Sequence, residues 1–393
     1  MTVARPAPES APTAAVNPFE LFGERTSVVI QRAGSLVSAI GRSRDIVVPP
    51  GPDHVSRAAS LAASALADGP RDGIAMGALP YDGSSEAVLR MPDRALRGEP
   101  AGDDRAPEAT WAVTSLIPDP LPVDYEAAVA TALAAIDAGE VEKVVLARAL
   151  IVSTDVPIDP RVVARRLNAA EPGSTVFLVA LPGRSRSLVG ASPELLVRRE
   201  GMTVSSDPLA GTARRSTDPV RDAEIARQLL GTVKEQREHR FIAEAVADAL
   251  APLCTNLVVD REPSLSPTAT LWHLHTAVRG TLKPDPPDAL SIAAVLHPTP
   301  AVCGTPQAAA GTLIHRLEGV DRGFYAGLVG WVDARGDGEW AIALRCAEIS
   351  GATARLHAGA GIVAGSDPAA EDLETEAKFG VMLRALGVEP GEG

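Results

Sequence analysis

The chain has 393 residues, 46% hydrophobic and 22% charged, the balance of a folded protein with a substantial core. Its formal net charge of −13 excludes a general attraction for nucleic acid or anionic membrane, so an anionic ligand needs a local cluster of cations. Aromatics are only 3%, which leaves Ala, Val and Leu to fill the core, and no run reaches the ~18 apolar residues of a membrane span.

Residues 1–16 contain three prolines, an internal Glu9 and no apolar run, and read as a disordered tail rather than a secretory signal. Residues 17–120 hold a strand-like run, Thr26–Ile30, and an Ala-rich helix, Val55–Leu66. Pro92–Pro122, rich in Pro, Asp, Gly and Ala, reads as a long surface connection. Periodic segments then follow closely through residues 121–387. They are a helix over Asp124–Ala138, a strand over Val141–Val152, a helix over Arg161–Ala170 and a strand over Thr175–Leu181. A meander takes in Ser187–Gly190, Glu194–Arg198 and Met202–Ser205. One long helix is expected from Pro219 to Ala251, capped by Asp218. Strands over Gly327–Asp333, Glu339–Ile349 and Thr353–Ala358 precede a last helix, opened by Ser366-Asp367-Pro368 and closed near Gly387. Many strands are joined by short turns, which indicates an α+β layered fold with antiparallel sheets. Cys254, Cys303 and Cys346 lack metal-ligand spacing and read as small buried thiols, in keeping with the cytoplasm.

Five charged groups fall inside elements that should be buried, where a charge is costly unless paired or used. Lys143, in Val141–Arg148, shares a strand face with Val141, Val145 and Ala147. Apolar neighbours lower a lysine's pKa and suit it to act as a base; alternatively it is a strand-end lysine reaching for water. Glu194 opens a strand after a Ser-Pro turn, as a general acid or as an exposed turn residue. Glu238 lies on the helical stripe of Ile242, Ala245 and Ala249, the member of its charge run best placed to point inward. Arg345 sits among Ala341, Ala343 and Ala347, where its planar fork either holds a carboxylate or forms an internal salt bridge. Glu374 and Lys378 are four apart on the last helix, an ordinary ion pair or part of a site. The preceding Ala358-Gly-Ala-Gly-Ile362 has glycines that let backbone amides approach an anion. Two helical carboxylates, Glu238 and Glu374, would make a half-site for magnesium.

Ten stretches in order resemble the chorismate-utilising enzymes, the family of isochorismate synthase, salicylate synthase and anthranilate synthase component I. They are Glu142–Arg148, Gly190–Leu196, Pro208–Arg214, Glu238–Arg240, Leu271–Leu274, His297–Gly304, Gly323–Gly327, Ile342–Cys346, Ala358–Ile362 and Glu374–Lys378, spread from about Asp124 to Leu386. The resemblance implies an anthranilate-synthase-like fold, two packed and mostly antiparallel sheets ringed by helices, with residues 17–120 completing the sheets. It implies Glu238 and Glu374 as ligands to Mg2+, Lys143 as general base and Glu194 as general acid. Gly211, Thr212, His273, Ala301, Val302, Tyr325, Arg345, Gly359, Ala360 and Lys378 match substrate-binding positions. The small-molecule substrate is then chorismate, with no nucleic acid, membrane or glutaminase subunit as partner and a monomeric state.

The loop Pro298-Thr-Pro-Ala-Val302 looks like the isochorismate synthase form, because the Ala301 methyl cannot hydrogen-bond where a threonine could. Salicylate synthase is the alternative, and a non-catalytic dicarboxylate-binding homologue a distant third. The short length and this loop lean toward siderophore rather than menaquinone supply.

Overall fold

The computed structural model describes residues 17–23, 26–32, 34–98, 106–183, 185–319 and 321–388. The side chains of Lys234, Arg237 and Glu238 lie outside that description, as does the tail expected over residues 1–16. Every strand pair is antiparallel, and seventeen strands form one hydrogen-bonded network beside a separate three-stranded sheet. The three-stranded sheet comprises Leu209–Arg214, Leu271–His275 and Ser264–Pro267.

The network is a path with two arms. In one arm Cys254–Val259 pairs with Val278–Leu282, then Thr203–Asp207, Leu195–Glu200, Gly338–Ile342, Leu328–Asp333 and Ile74–Leu79 follow. In the other, Val28–Arg32 leads through Thr175–Ala180, Arg186–Ser192, Cys346–Ser350 and Thr353–Val363 to Lys143–Thr154. The long strands Ser35–Val48 and Ala87–Gly98 join the arms, with a register shift between Ile40 and Ser43 that bends the pair. Strands within residues 28–98 therefore join the two arms. The segment Pro92–Pro122, expected as surface connection, instead contributes the end of Ala87–Gly98 and the strand Val113–Asp119. Its prolines are tolerated because Pro92 and Pro118 lie opposite single partners in irregular or outer pairings.

Helices pack on the faces. Three apolar clusters result, one around Trp340, Met76 and Leu290, a second around Leu178 and Phe379, and a third around Tyr125, Leu146 and Ala360. Cys254, Cys303 and Cys346 are buried thiols, as composition suggested. The helix expected over Pro219–Ala251 is two helices, Pro219–Gly231 and Val233–Leu250, broken at extended Thr232. Its start is as read: the Asp218 carboxylate accepts from the amides of Val220 (2.8 Å) and Arg221 (3.3 Å). The strand expected over Glu339–Ile349 is likewise two, Gly338–Ile342 and Cys346–Ser350, interrupted at Arg345. Among the described residues no helix is long and apolar enough to cross a membrane.

Candidate active site

The chain crosses between the two arms at two adjacent corners, and each presents a charged side chain. Strand Arg186–Ser192 belongs to one arm and Leu195–Glu200 to the other, with Pro193 and Glu194 between them. Gly338–Ile342 and Cys346–Ser350 are divided in the same way, with Arg345 between them. The corners are tied together: the Ser192 hydroxyl donates to the Ile342 carbonyl (2.6 Å), and the Ala191 amide donates to the Arg345 carbonyl (3.1 Å). Arg345 has φ 49°, a left-handed conformation disfavoured for a residue with a Cβ. Ala326, whose amide donates to the Ala343 carbonyl (2.8 Å), has φ 60°. Two such residues at one place mark a backbone held against its preference by its surroundings. This replaces the expected straight strand, in which Arg345 would have shared a face with Ala341, Ala343 and Ala347.

A cavity opens at these corners. Its walls include Glu194, Leu344 and Arg345 from the crossings, Gly211, Thr212 and His273 from the three-stranded sheet, and Ala301 and Val302 from the loop. Tyr325, Val145, Gly359 and Gly361 close another side, and Glu374 and Lys378 project from the helix Pro368–Ala385. Eleven of the fourteen residues expected at the site thus line one space.

The other three differ. Ala360 points away: its methyl is buried in the third apolar cluster, because side chains alternate along Thr353–Val363 and its neighbours Gly359 and Gly361 take the cavity face. Lys143 is fully buried at the start of its strand, two residues before Val145, and is not among the residues that border the cavity. Val141 precedes that strand and joins the third cluster, so it is not on the face of Val145. Glu238 is placed in the helix Val233–Leu250, where Ile242 one turn on lines the cavity, but its side chain lies outside the described residues.

The electrostatics suit proton transfer. Burial pushes the Glu194 carboxyl up to about 7, against the Leu209 amide and the charges of Lys143, Arg345 and Lys378, which pull it down. That influence places Lys143 and Glu194 in one electrostatic environment. His273 is held neutral, its pKa well below the usual value because it is buried and faces Arg345 and Lys378. Its Nδ1 lies 3.2 Å from the Gly211 carbonyl, an acceptor only, so Nδ1 carries the proton. Nε2, 3.4 Å from Arg345 Nη2, is left as an acceptor toward the guanidinium. Burial also keeps Tyr325 a phenol, pushed up to about 12. Lys378 Nζ donates to the Gly359 carbonyl (2.8 Å) and to Glu374 Oε1 (2.5 Å).

Two further carboxylates were not singled out from the sequence. Glu235 and Glu371 stand three residues before Glu238 and Glu374 and, with Glu374 and Thr212, line a second cavity adjoining the first. Glu371 is 1% exposed, and Glu235 Oε2 accepts from the Thr212 amide (3.2 Å). The i, i+3 spacing that puts each pair on one helix face was the available signal. Among the described residues, no three His, Cys, Asp or Glu side chains form a ready-made metal cage.

Residues 94–387 match the family model for chorismate-binding enzymes. The chain belongs to that family. The Mycobacterium tuberculosis protein MenF is 46% identical over 327 residues, covering 80% of this chain and 87% of that one. Isochorismate synthase DhbC of Bacillus subtilis is 43% identical over 323 residues, 80% and 81% of the two chains. The crystal structure of DhbC from Bacillus anthracis superimposes with a TM-score of 0.88 at 38% identity, over 95% of this chain and 99% of that one. The fold is therefore the one the ten motifs implied.

Proposed function

We propose that this chorismate-binding enzyme is an isochorismate synthase, an isomerase that moves a hydroxyl from C4 to C2 of the ring with the help of Mg2+. The reading rests most on Glu194, a buried acid poised near neutrality in the same cavity as Arg345 and Lys378 and within the electrostatic influence of Lys143. Relatives at 38–46% identity bear the isochorismate synthase name, which favours this outcome over elimination of pyruvate.

The residues fit a hard divalent cation. Glu235, Glu371 and Glu374 offer only carboxylate oxygens to one cavity, with no soft ligand among them. A Cβ on Gly211 would come within 2.9 Å of Glu235 Oε2, so the glycine keeps that cradle open. Glu374 and Glu238 would hold the ion. Bound there, magnesium supplies positive charge against a dianionic substrate.

The chain's own groups do the rest. Arg345 and Lys378 face the cavity as cations for the substrate carboxylates. Lys143 takes a proton from a water whose oxygen bonds to C2; the ring double bonds shift, the C4–O bond breaks, and Glu194 gives its proton to the departing hydroxyl. Base and acid contribute roughly 10²–10⁴-fold each. His273, neutral with Nε2 toward Arg345, orients the guanidinium without adding charge.

Incubation of the purified protein with chorismate, with and without magnesium, tests this. The expected product by NMR is isochorismate, formed only with the metal and without pyruvate. Stoichiometric pyruvate and salicylate, or no turnover, would refute the assignment. Relatives of both kinds match, a vibriobactin-specific isochorismate synthase of Vibrio cholerae at 38% identity and a menaquinone-specific one of Escherichia coli at 24%.

A further inference from the structure

The strand Lys143–Thr154 is paired along one side without interruption, from Ser153 opposite Thr353 to Lys143 opposite Val363. Its other side is covered in two pieces. Val113–Asp119 pairs with Ala149–Thr154, and Gly304–Thr305 pairs with Lys143 and Val144. Between them, the backbone of residues 145–147 faces no strand, although it is buried.

An unpaired buried backbone group is costly, and here two side chains supply the partners. Arg322 Nη2 donates to the Val145 carbonyl (2.9 Å), and Glu318 Oε1 accepts from the Ala147 amide (2.7 Å). Arg322 Nη1 reaches across to the Val302 carbonyl (2.6 Å), and its Nε donates to Glu318 Oε2 (2.8 Å). The Val145 amide completes the link by donating to the Cys303 carbonyl (2.8 Å). The Tyr81 ring lies 4.4 Å from the guanidinium and covers the pair. One planar fork thus spans the strand that carries Lys143 and the loop that carries Ala301 and Val302. Val145, Val302 and Arg322 all border the cavity.

We propose that the Glu318–Arg322 pair is a positioning element that fixes the spacing between the Lys143 strand and the Pro298–Val302 loop, and with it the place of Lys143 relative to the ring and its water. This rests on the isochorismate synthase reading. A lysine at 322 keeps the charge opposite Glu318 but lacks the fork that bridges both carbonyls.

The test compares wild type, Arg322→Lys and Glu318→Gln with chorismate and magnesium. Misplacement by about 1 Å costs on the order of 10²-fold in turnover. Arg322→Lys is expected to lose about that much in kcat while KM stays within about threefold. Glu318→Gln, which retains an acceptor for the Ala147 amide, is expected to lose about tenfold, again in kcat. A kcat within about threefold of wild type in Arg322→Lys, or a loss carried mainly by KM, overturns the proposal. Should neither variant fold, hydrogen exchange on wild type decides. An Ala147 amide, bonded to Glu318, that is protected like the paired interior of the strand supports the pair as strand substitute, and fast exchange overturns it. Wild type that makes no isochorismate overturns the function instead, a distinct result.

Discussion

Glu194→Gln removes one proton and leaves the shape of the corner between the two arms. Burial holds the Glu194 carboxyl near pH 7, so in the free protein about half the molecules carry the acid at pH 7 and about a tenth at pH 8. Wild-type kcat/KM should therefore fall about tenfold per pH unit above neutrality. A dianionic substrate beside the carboxyl raises its pKa further, so the corresponding limb in kcat lies at higher pH. The glutamine variant should lose roughly 10²–10⁴-fold in kcat and lose the alkaline limb due to Glu194. Stability gives an independent reading. The folded protein binds this proton more tightly than the unfolded chain, whose carboxyl titrates near 4.5, so stability drains as pH rises from about 4.5 to about 7. The shift corresponds to on the order of 3 kcal/mol, which wild type lacks above neutrality and Glu194→Gln does not forfeit. Rate profiles and urea unfolding at pH 5 and pH 8 measure both. A variant with the same alkaline limb and the same pH dependence of stability would refute the role given to Glu194.

Lys143→Ala should abolish measurable turnover while chorismate still binds, checked by calorimetry; unchanged turnover removes Lys143 from the chemistry. Glu374→Gln should weaken magnesium binding and raise the metal concentration for half-maximal rate at least tenfold, roughly the loss of one charged ligand contact. Gly211→Ala places a methyl at φ +62° and within 2.9 Å of Glu235 Oε2. It should cost about 1–2 kcal/mol in urea unfolding and weaken metal-dependent activity.

Where local chemistry is self-sufficient, the sequence was legible. Asp218-Pro219 and Asp367-Pro368 cap the helices they were expected to open. Lys143 and Glu194 stood out because charges lay within apolar patterns. What depended on tertiary context was hidden. Ser35–Val48 contains Gly41-Arg-Ser-Arg-Asp45, half of it solvent-facing, so its length as a bridge between layers has no apolar period to betray it. Arg345 in a left-handed conformation follows from the crossing between arms, which no propensity encodes. A motif carries identity but not the parity of a strand, so it did not show that the Ala360 methyl turns into the third apolar cluster. Glu318 and Arg322 appear as an ordinary helix-end ion pair; their importance arises from a gap between two strands remote in sequence.

Turnover of chorismate in water enriched in oxygen-18 tests the central claim most directly. If Lys143 activates water toward C2 while Glu194 releases the C4 hydroxyl, the isochorismate formed carries the heavy oxygen at C2. Unlabelled isochorismate, meaning the original hydroxyl had migrated within the ring, would contradict the separate base and acid on which the account depends.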